Sequence, residues 1–184
     1  MGFQWSEADH NLYFLAGEVP LILVLYVDDL FLTGDERLVG DCKSSLVVEF
    51  EMKDLGMMHY FMGLEVSQRD GYFFIGKGNY EVEILKIFRM EDCKPMATTL
   101  GSNWRKIDTS GSGGFDPTLY RQLIGSLMYM VNTRPEINFV VNSLSRSMVE
   151  PRRVHWTAVK HILRYIRGTL EYGLVYECRG SVQL

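Results

Sequence analysis

Residues 20–32, Pro-Leu-Ile-Leu-Val-Leu-Tyr-Val-Asp-Asp-Leu-Phe-Leu, place two adjacent aspartates between two apolar runs. A continuous run of Leu, Ile and Val predicts a buried β-strand. Neighbouring side chains of a flat strand point to opposite faces, so Asp28 and Asp29 converge on one site only where the backbone turns. Because the second apolar run, residues 30–32, begins at once, we expect a tight β-hairpin with Val27, Asp28 and Asp29 at its tip.

The two carboxylates indicate a candidate metal site. Side by side they repel each other, and burying them is costly unless something pairs with them. A divalent cation relieves both costs, and hard oxygen ligands on a rigid turn suit Mg²⁺. Two such ions can hold the oxygens of an in-line phosphoryl displacement. Aspartate is also common in surface turns, so an ordinary solvent-exposed turn remains the alternative interpretation of the pair alone.

Four further segments follow the hairpin in a fixed order. They are residues 50–56 (Phe-Glu-Met-Lys-Asp-Leu-Gly), 59–66 (His-Tyr-Phe-Met-Gly-Leu-Glu-Val), 120–129 (Tyr-Arg-Gln-Leu-Ile-Gly-Ser-Leu-Met-Tyr) and 133–137 (Thr-Arg-Pro-Glu-Ile). In this order the segments resemble the pol polyprotein of copia-type LTR retrotransposons, most closely those of plants. The Tyr-Val-Asp-Asp stretch itself resembles the YxDD active-site hairpin of reverse transcriptases. The resemblance extends over about residues 6–176.

The resemblance implies roles for the residues of the hairpin. Asp28 and Asp29 would be the catalytic carboxylates, and they would hold Mg²⁺ or Mn²⁺ in the complete enzyme. Tyr26 and Val27 would lie against the primer end. The partners of the complete enzyme would be an RNA or DNA template-primer and a deoxynucleoside triphosphate, and its reaction would be RNA-directed DNA synthesis.

Two further segments are candidate nucleic-acid contacts. The stretch around Met62 and Gly63 resembles the primer-grip hairpin of the family, where a glycine lets the backbone approach nucleic acid closely. From its residues alone, it is an amphipathic strand. The last predicted helix carries four basic residues on one face, which could follow a phosphate backbone or could simply be solvated: Arg153, Lys160, Arg164 and Arg167.

The charge distribution favours nucleic-acid binding by the second part of the chain. The net charge is −4, yet residues 1–119 hold 10 Lys and Arg against 19 Asp and Glu. Residues 120–168 hold 8 against 2. A basic region can neutralise phosphates, and the local distribution of charge counts for more than its total.

Patterning along the chain predicts an α+β fold with a change of character at a Gly- and Ser-rich stretch. We expect a partial polymerase palm over residues 1–100, made of a small antiparallel sheet with helices on one face. A flexible linker over 101–117 would lead into a helical region over 118–170, similar to a polymerase thumb or connection. By the same resemblance, residues 171–184 would be the truncated start of a ribonuclease H-like strand.

Apolar periodicity predicts five helices in these regions. The first has an apolar stripe of Leu38, Val39, Leu46, Val47 and Phe50, with Cys42 among them, and in the second Val82, Ile84 and Leu85 should face inward. In the last, the stripe of Val159, Ile162, Leu163 and Ile166 should be core. The predicted helices cover residues 35–51, 79–88, 118–132, 135–148 and 154–169.

Composition excludes several other classes of protein. A hydrophobic fraction of 47% over 184 residues allows a real core, and the longest apolar run falls short of the ~20 residues of a membrane helix. Three isolated cysteines suit reduced thiols inside a cell. We therefore expect no membrane association and an intracellular location, in cytoplasmic virus-like particles or in the nucleus.

Reverse transcriptases complete their two-metal site with a third carboxylate on a strand upstream of the YxDD hairpin. Here Glu7 and Asp9 are the sole acids before Glu18, and neither lies in an apolar strand. We therefore expect a C-terminal piece of the enzyme that binds metal weakly or not at all and has no polymerase activity alone. A non-catalytic nucleic-acid-binding fragment and a remnant without biochemical role are the alternatives. An exposed sheet edge would favour self-association.

Overall fold

The computed structural model describes residues 2–69, 71–101 and 113–177. They form two units, Met1–Met57 and Met58–Leu184, and each unit contains a four-stranded antiparallel sheet. The fold is α+β, as the patterning predicts. The boundary between the units lies between Met57 and Met58, whereas the composition placed a boundary at residues 101–117.

The first unit is a meander of four strands followed by one helix. The sheet order follows the chain, β1-β2-β3-β4. Asp35 caps the helix, because its carboxylate accepts the N–H groups of Arg37 at 3.0 Å and Leu38 at 3.2 Å. The elements are β1 (Gln4–Trp5), β2 (Leu12–Leu15), β3 (Leu21–Tyr26), β4 (Asp29–Thr33) and α1 (Glu36–Glu49).

The apolar stripe expected on α1 is largely solvent-exposed. Cys42 is the buried residue of this helix, whereas Val47 and Phe50 are more than half exposed. Leu38 is also exposed, and Val39 and Leu46 are half-buried. Most of this apolar stripe is therefore uncovered, since the described part of this unit buries the helix only around Cys42.

The second unit joins a sheet to a helical core. The sheet order is β5-β6-β7-β8, and its last strand returns from the far end of the chain. Its elements are β5 (Tyr60–Phe61), β6 (Leu64–Arg69), β7 (Tyr72–Gly76), α2 (Gly78–Ile87), α3 (Pro117–Met130), a 3-10 turn (Pro135–Ile137), α4 (Asn138–Ser145), α5 (Arg153–Arg167) and β8 (Leu174–Glu177).

Strand β8 pairs with β7 in antiparallel register, with Tyr72 opposite Glu177 and Ile75 opposite Leu174. A strand was expected here, but as the opening of a ribonuclease H-like domain. Residues 174–177 do form a strand, which is the last in the sheet of the second unit, and the ribonuclease H-like interpretation stays a prediction. The remainder of the expected segment, residues 178–184, lies outside the described residues.

The core of the second unit brings together residues from both sides of the Gly- and Ser-rich stretch. Ile84 and Leu85 of α2 share one apolar cluster with residues of α3, α4 and α5, which explains why no unit boundary falls at that stretch. The stripe of α5 is fully buried, as expected. The most buried members of the cluster are Tyr120, Leu123, Ile124, Leu127, Met130, Ile137, Val141, Val159, Ile162, Leu163 and Ile166.

The end of the expected linker is ordered by specific contacts. Phe115 stacks on Trp156 with ring centroids 4.4 Å apart, and Gly114 forms an isolated β-bridge with Arg152. Asp116 caps α3 by accepting the Thr118 N–H at 2.8 Å, with Pro117 at the first helical position. Residues 113–117 are therefore part of the fold, and residues 102–112 lie outside the described residues.

Across the described ranges, no helix is both long enough and apolar enough to cross a membrane.

Candidate catalytic hairpin and nucleic-acid interface

The β3–β4 hairpin presents both aspartates at one end of the first sheet. Tyr26 pairs with Asp29, so that Val27 and Asp28 alone form the turn. The predicted hairpin is present, with one difference: Asp29 is the first residue of β4. Both aspartates are exposed, together with Tyr26 and Val27. The predicted catalytic residues and their two neighbours are thus brought together at a solvent-accessible turn.

The backbone of this turn is strained at Val27. Its φ is +54°, a region that costs a residue with a side chain about 1–2 kcal/mol, and its side chain is 80% exposed. A positive φ at the first of two turn residues is the pattern of a type II′ turn, where glycine is usual. Strain of this kind persists where a surrounding structure fixes it, and it is often found at functional sites.

The donor atoms of the hairpin fit part of a divalent metal site. Carboxylate oxygens are the ligands that Mg²⁺ prefers, but Mg²⁺ also demands near-octahedral coordination. Within the ranges that the structure describes, no group of three or more His, Cys, Asp and Glu side chains converges. Asp28 and Asp29 would therefore supply two carboxylates of a set that needs further ligands.

The β5–β6 turn consists of Met62 and Gly63, with φ values of +48° and +77°. Positive φ at both positions is the type I′ pattern. The Tyr129 hydroxyl donates to the Met62 carbonyl at 3.0 Å, and a Cβ on Gly63 would lie 2.4 Å from that hydroxyl oxygen. The glycine was expected to admit nucleic acid. The space beside its α-carbon is instead filled by Tyr129 of the same chain.

Lys77 lies behind this turn and was not recognised in the sequence. It is only 1% exposed, and its ammonium group donates to the Tyr129 carbonyl at 2.8 Å. The same Nζ lies 3.2 Å from the centroid of the Tyr129 ring, a cation–π contact. Burial lowers the pKa of Lys77. No sequence signal marked it, because it stands alone between a strand and a helix.

A second buried charge links α2 to the chain after α3. The Arg134 guanidinium, which is 0% exposed, donates to Glu81 at 2.8 Å and to Glu136 at 2.7 Å. It also donates to the Thr169 carbonyl at 3.1 Å. Burial raises the pKa of Glu81 to about 7, against the opposing effect of Arg134. Breaking such a buried pair is strongly destabilising.

The sequence did contain a signal for Glu81. It stands three and four positions before Ile84 and Leu85, on the same face of α2, and all three are buried. Val82, which was expected to face inward, is 36% exposed. The prediction was wrong there because a charged residue was not considered for the core stripe.

The four basic residues predicted on α5 differ in their environments. The Nε of Arg164 donates to the Lys94 carbonyl at 2.8 Å, and that of Arg167 donates to the Glu91 carbonyl at 2.6 Å. Lys160 lies 5.8 Å from the Trp156 ring centroid, and Arg153 is exposed at the start of the helix. Two of the four therefore also hold the segment after α2 in place.

The basic excess of residues 120–168 is smaller at the surface than in the sequence. Arg134 is fully buried and neutralised by two glutamates, so it is not available to a phosphate. Arg121 uses its Nε to bind the Met148 carbonyl at 3.0 Å. The predicted interface consequently depends on fewer cations than the count suggests.

Comparison with known proteins decides the family. The sequence model described as reverse transcriptase (RNA-dependent DNA polymerase) matches residues 1–101, which include the complete β3–β4 and β5–β6 hairpins. The chain belongs to the reverse transcriptase family. Members of this family generally use a divalent metal, a nucleic-acid template and deoxynucleoside triphosphates in the full enzyme.

Reverse transcriptase relatives of the copia type cover this chain almost completely. The retrovirus-related Pol polyprotein from transposon RE2 of Arabidopsis thaliana is 34% identical over 186 residues, which is 100% of this chain and 13% of the relative. That of tobacco transposon TNT 1-94 is 35% identical over 159 residues, 81% of this chain and 12% of the relative. The resemblance to plant copia-type elements is thereby confirmed.

A shorter relative is an uncharacterized mitochondrial protein of Arabidopsis thaliana, 38% identical over 157 residues, which are 84% of this chain and 64% of that protein. The chain thus spans about one eighth of the Pol polyproteins and under two thirds of the mitochondrial relative. No solved structure matches the chain.

Proposed function

We propose that this chain supplies the metal-binding hairpin and a nucleic-acid-binding region of a copia-type RNA-directed DNA polymerase. The observation that carries the proposal is the two-residue turn of Val27 and Asp28, which exposes Asp28 and Asp29 together at the end of the β3–β4 hairpin. An ordinary surface turn does not require a β-branched residue at positive φ. The strained turn therefore favours a functional role over the alternative of a solvent-exposed turn.

Asp28 and Asp29 are the proposed catalytic residues, and they would hold Mg²⁺ or Mn²⁺ through their carboxylate oxygens. When bound, the metal would stabilise the negative charge on the oxygens of the transferred phosphoryl group. Tyr26 and Val27, exposed beside the carboxylates, would contact the primer end. The exposed turn of Met62 and Gly63 would contact the nucleic-acid backbone.

The proposed interface on α5 has a graded contribution from its four cations. Arg153 and Lys160 are the residues whose charge would act mainly on phosphate, because Arg153 is exposed at the start of α5 and the Lys160 ammonium group lies over the Trp156 ring at 5.8 Å. Arg164 and Arg167 would contribute with the N–H groups left after their Nε atoms have bound main-chain carbonyls. Each phosphate contact releases counterions, so binding should weaken steeply with salt.

Alone, this chain should not polymerise DNA. Two carboxylates leave the coordination of Mg²⁺ incomplete, and phosphoryl transfer loses most of its acceleration without positioned metals. Primer extension on a poly(rA)/oligo(dT) template with Mg²⁺ tests this directly, and we expect no product. Extension that disappears in Asp28→Asn would contradict the expectation.

Binding of a template-primer tests the positive half of the proposal. A hybrid with a recessed primer end should bind more tightly when Mn²⁺ is added, and the gain should vanish in the double variant Asp28→Asn plus Asp29→Asn. Asp41→Asn is the matched control, because Asp41 is an exposed aspartate of the same unit on α1. A metal-dependent gain that survives the double variant, or that Asp41→Asn also removes, would contradict the role of the hairpin.

We also propose that the chain self-associates and that it acts inside the cell. In the sheet order, β4 is a terminal strand, and an edge strand offers backbone groups for pairing with another chain. Self-association should then appear as a concentration-dependent sedimentation coefficient, and a constant monomer value would contradict it.

The proposed place of action is intracellular, in cytoplasmic virus-like particles or in the nucleus, which immunofluorescence of the tagged chain tests.

A further inference from the structure

The β5–β6 turn is fastened to the helical core at two points. At the turn itself, the Tyr129 hydroxyl of α3 donates to the Met62 carbonyl at 3.0 Å. Further along β6, the Glu65 carboxylate accepts the Asn79 N–H of α2 at 2.6 Å. The turn is nevertheless accessible, because the Met62 side chain is 55% exposed. An exposed turn is thus held from the inner side by a hydrogen bond between elements 67 positions apart in sequence.

Tyr129 is itself held by three contacts from two residues of the second unit. The buried Lys77 ammonium group contacts both its carbonyl, at 2.8 Å, and its ring, at 3.2 Å from the centroid. The Tyr80 ring packs edge-on against it at 4.9 Å. Burying an ammonium group is costly unless it is paired, so Lys77 holds Tyr129 from one side, while 42% of the tyrosine stays exposed. Lys77 and Tyr80 therefore determine where the Tyr129 hydroxyl lies, and its hydrogen bond to Met62 holds the turn.

The fit between Tyr129 and Gly63 leaves no room for another side chain. A Cβ on Gly63 would lie 2.4 Å from the tyrosine oxygen, whereas the next ring atom, Cζ, would be 3.5 Å away. The conflict therefore involves the hydroxyl and hardly the ring. Removing that single oxygen would open the space beside Gly63 without disturbing the contact between Lys77 and the aromatic ring.

We propose that Tyr129 is a positioning residue for nucleic-acid binding, whose hydroxyl, oriented by Lys77, holds the Met62–Gly63 turn in the conformation that contacts the backbone of a template-primer. The inference rests on the proposed function, because it assigns the ligand of the turn as a nucleic acid. It adds two residues, Tyr129 and the buried Lys77, that act by holding the turn.

Tyr129→Phe is the direct test, since it deletes the hydroxyl and retains the ring. Loss of one hydrogen bond predicts that affinity for a fluorescent RNA–DNA hybrid falls about fivefold. Tyr80→Phe is the control: it deletes a hydroxyl from the same aromatic cluster, and that hydroxyl makes a long, weak hydrogen bond to the Ser126 carbonyl at 3.5 Å. The control should bind within about twofold of the unmodified chain.

A double-mutant cycle separates positioning from general loss of structure. Gly63→Ala alone should weaken binding about tenfold or more, because its Cβ meets the tyrosine oxygen. In the Tyr129→Phe background the same change should cost several-fold less, since the clashing oxygen is gone and only the strain of a side chain at a φ of +77° remains, and such non-additivity identifies a direct coupling. Thermal unfolding of each variant is followed in parallel to confirm that all of them fold.

The outcomes distinguish the inference from the proposed function. Failure of the unmodified chain to bind the hybrid would contradict the proposed function. Binding by the unmodified chain together with equal affinity of Tyr129→Phe would contradict the inference alone. Equal losses in Tyr129→Phe and Tyr80→Phe, or additive effects in the cycle, would also overturn it, because they would show a general structural role.

Discussion

The two units of the molecule contrast in where they place charge. In the first, the Asp28 and Asp29 carboxylates stand exposed at a strained turn, and the buried apolar residues are Leu21, Leu23 and Cys42. In the second, charge is buried within a large apolar cluster, as in the pair of Glu81 and Arg134. Exposed charge is available to a ligand, whereas buried and paired charge fixes structure.

The difference shows why a count of basic and acidic residues is a poor guide to an interface. The second unit contains most of the basic excess, yet Arg134 is buried and donates to groups of its own unit. Three further arginines each donate to a main-chain carbonyl: Arg121, Arg164 and Arg167. In the first unit, by contrast, Asp28 and Asp29 are both exposed at the turn. The proposed metal binding therefore belongs to the first unit, and the basic residues of the second have a partly structural role.

The largest effect is expected from Arg134→Ala in the second unit. Removing one partner of a fully buried pair leaves the Glu81 carboxyl without its guanidinium, so that it must take up a proton or stay buried as an unpaired charge, and the free energy of unfolding should fall by about 3–5 kcal/mol. Arg146→Ala is the control, because Arg146 is an exposed arginine of the same unit and should change stability by less than about 0.5 kcal/mol. Urea denaturation followed by circular dichroism measures both variants. Equal losses of unfolding free energy in Arg134→Ala and Arg146→Ala would contradict a structural role for the buried charge.

A smaller effect is expected in the pH dependence of stability. The pKa of Glu81 is about 7 in the fold, against 4.5 when unperturbed, so the folded state keeps a proton that the unfolded state releases between these values. The free energy of unfolding should therefore contain a component that falls as pH rises from about 4.5 to about 7. Glu81→Gln should remove this component.

Glu83→Gln is the control for that pH profile, because Glu83 is an exposed residue of the same helix. The difference between the profiles of the two variants isolates Glu81 from His155, whose pKa is lowered by burial and which acts in the opposite direction. Identical profiles for both variants would show that Glu81 does not titrate in this range.

The smallest effect concerns the strained turn of the first unit. Val27→Gly removes the cost of a positive φ and loses almost no burial, while glycine adds entropy to the unfolded chain. The net change should be a gain of at most about 1 kcal/mol. Val19→Gly, at another exposed valine of this unit without a positive φ, should destabilise instead. Hydrogen exchange of the β3–β4 amides measures both, and a loss in Val27→Gly would argue against strain.

Much of the local structure could be predicted because it depends on short-range patterns. The apolar runs around Asp28 and Asp29 predict the hairpin. Its turn is one residue shorter than predicted, because Asp29 pairs with Tyr26 and belongs to β4. Asp35 and Asp116 mark helix starts as side-chain caps. The stripe of α5 is buried as its period predicts.

The rest depends on contacts between distant parts of the chain, which no local pattern encodes. Tyr129 was visible only as part of a family-like segment, and its bond to Met62 spans 67 positions. Strand β8 was expected, but its pairing with β7 joins residues about a hundred positions apart. Whether other parts of the chain pack over an apolar stripe also depends on distant contacts. The exposure of Val47 on α1, and of Phe50 just after it, could therefore not be predicted.

Binding of Mn²⁺ to the β3–β4 hairpin tests the central claim most directly. In a titration of the isotope-labelled chain, paramagnetic broadening should affect first the amide signals of residues 26–30 and should disappear in the double variant Asp28→Asn plus Asp29→Asn. Asp41→Asn should leave the broadening unchanged. Broadening that begins elsewhere in the chain, or that persists at residues 26–30 in the double variant, would contradict the assignment of the two aspartates as metal ligands.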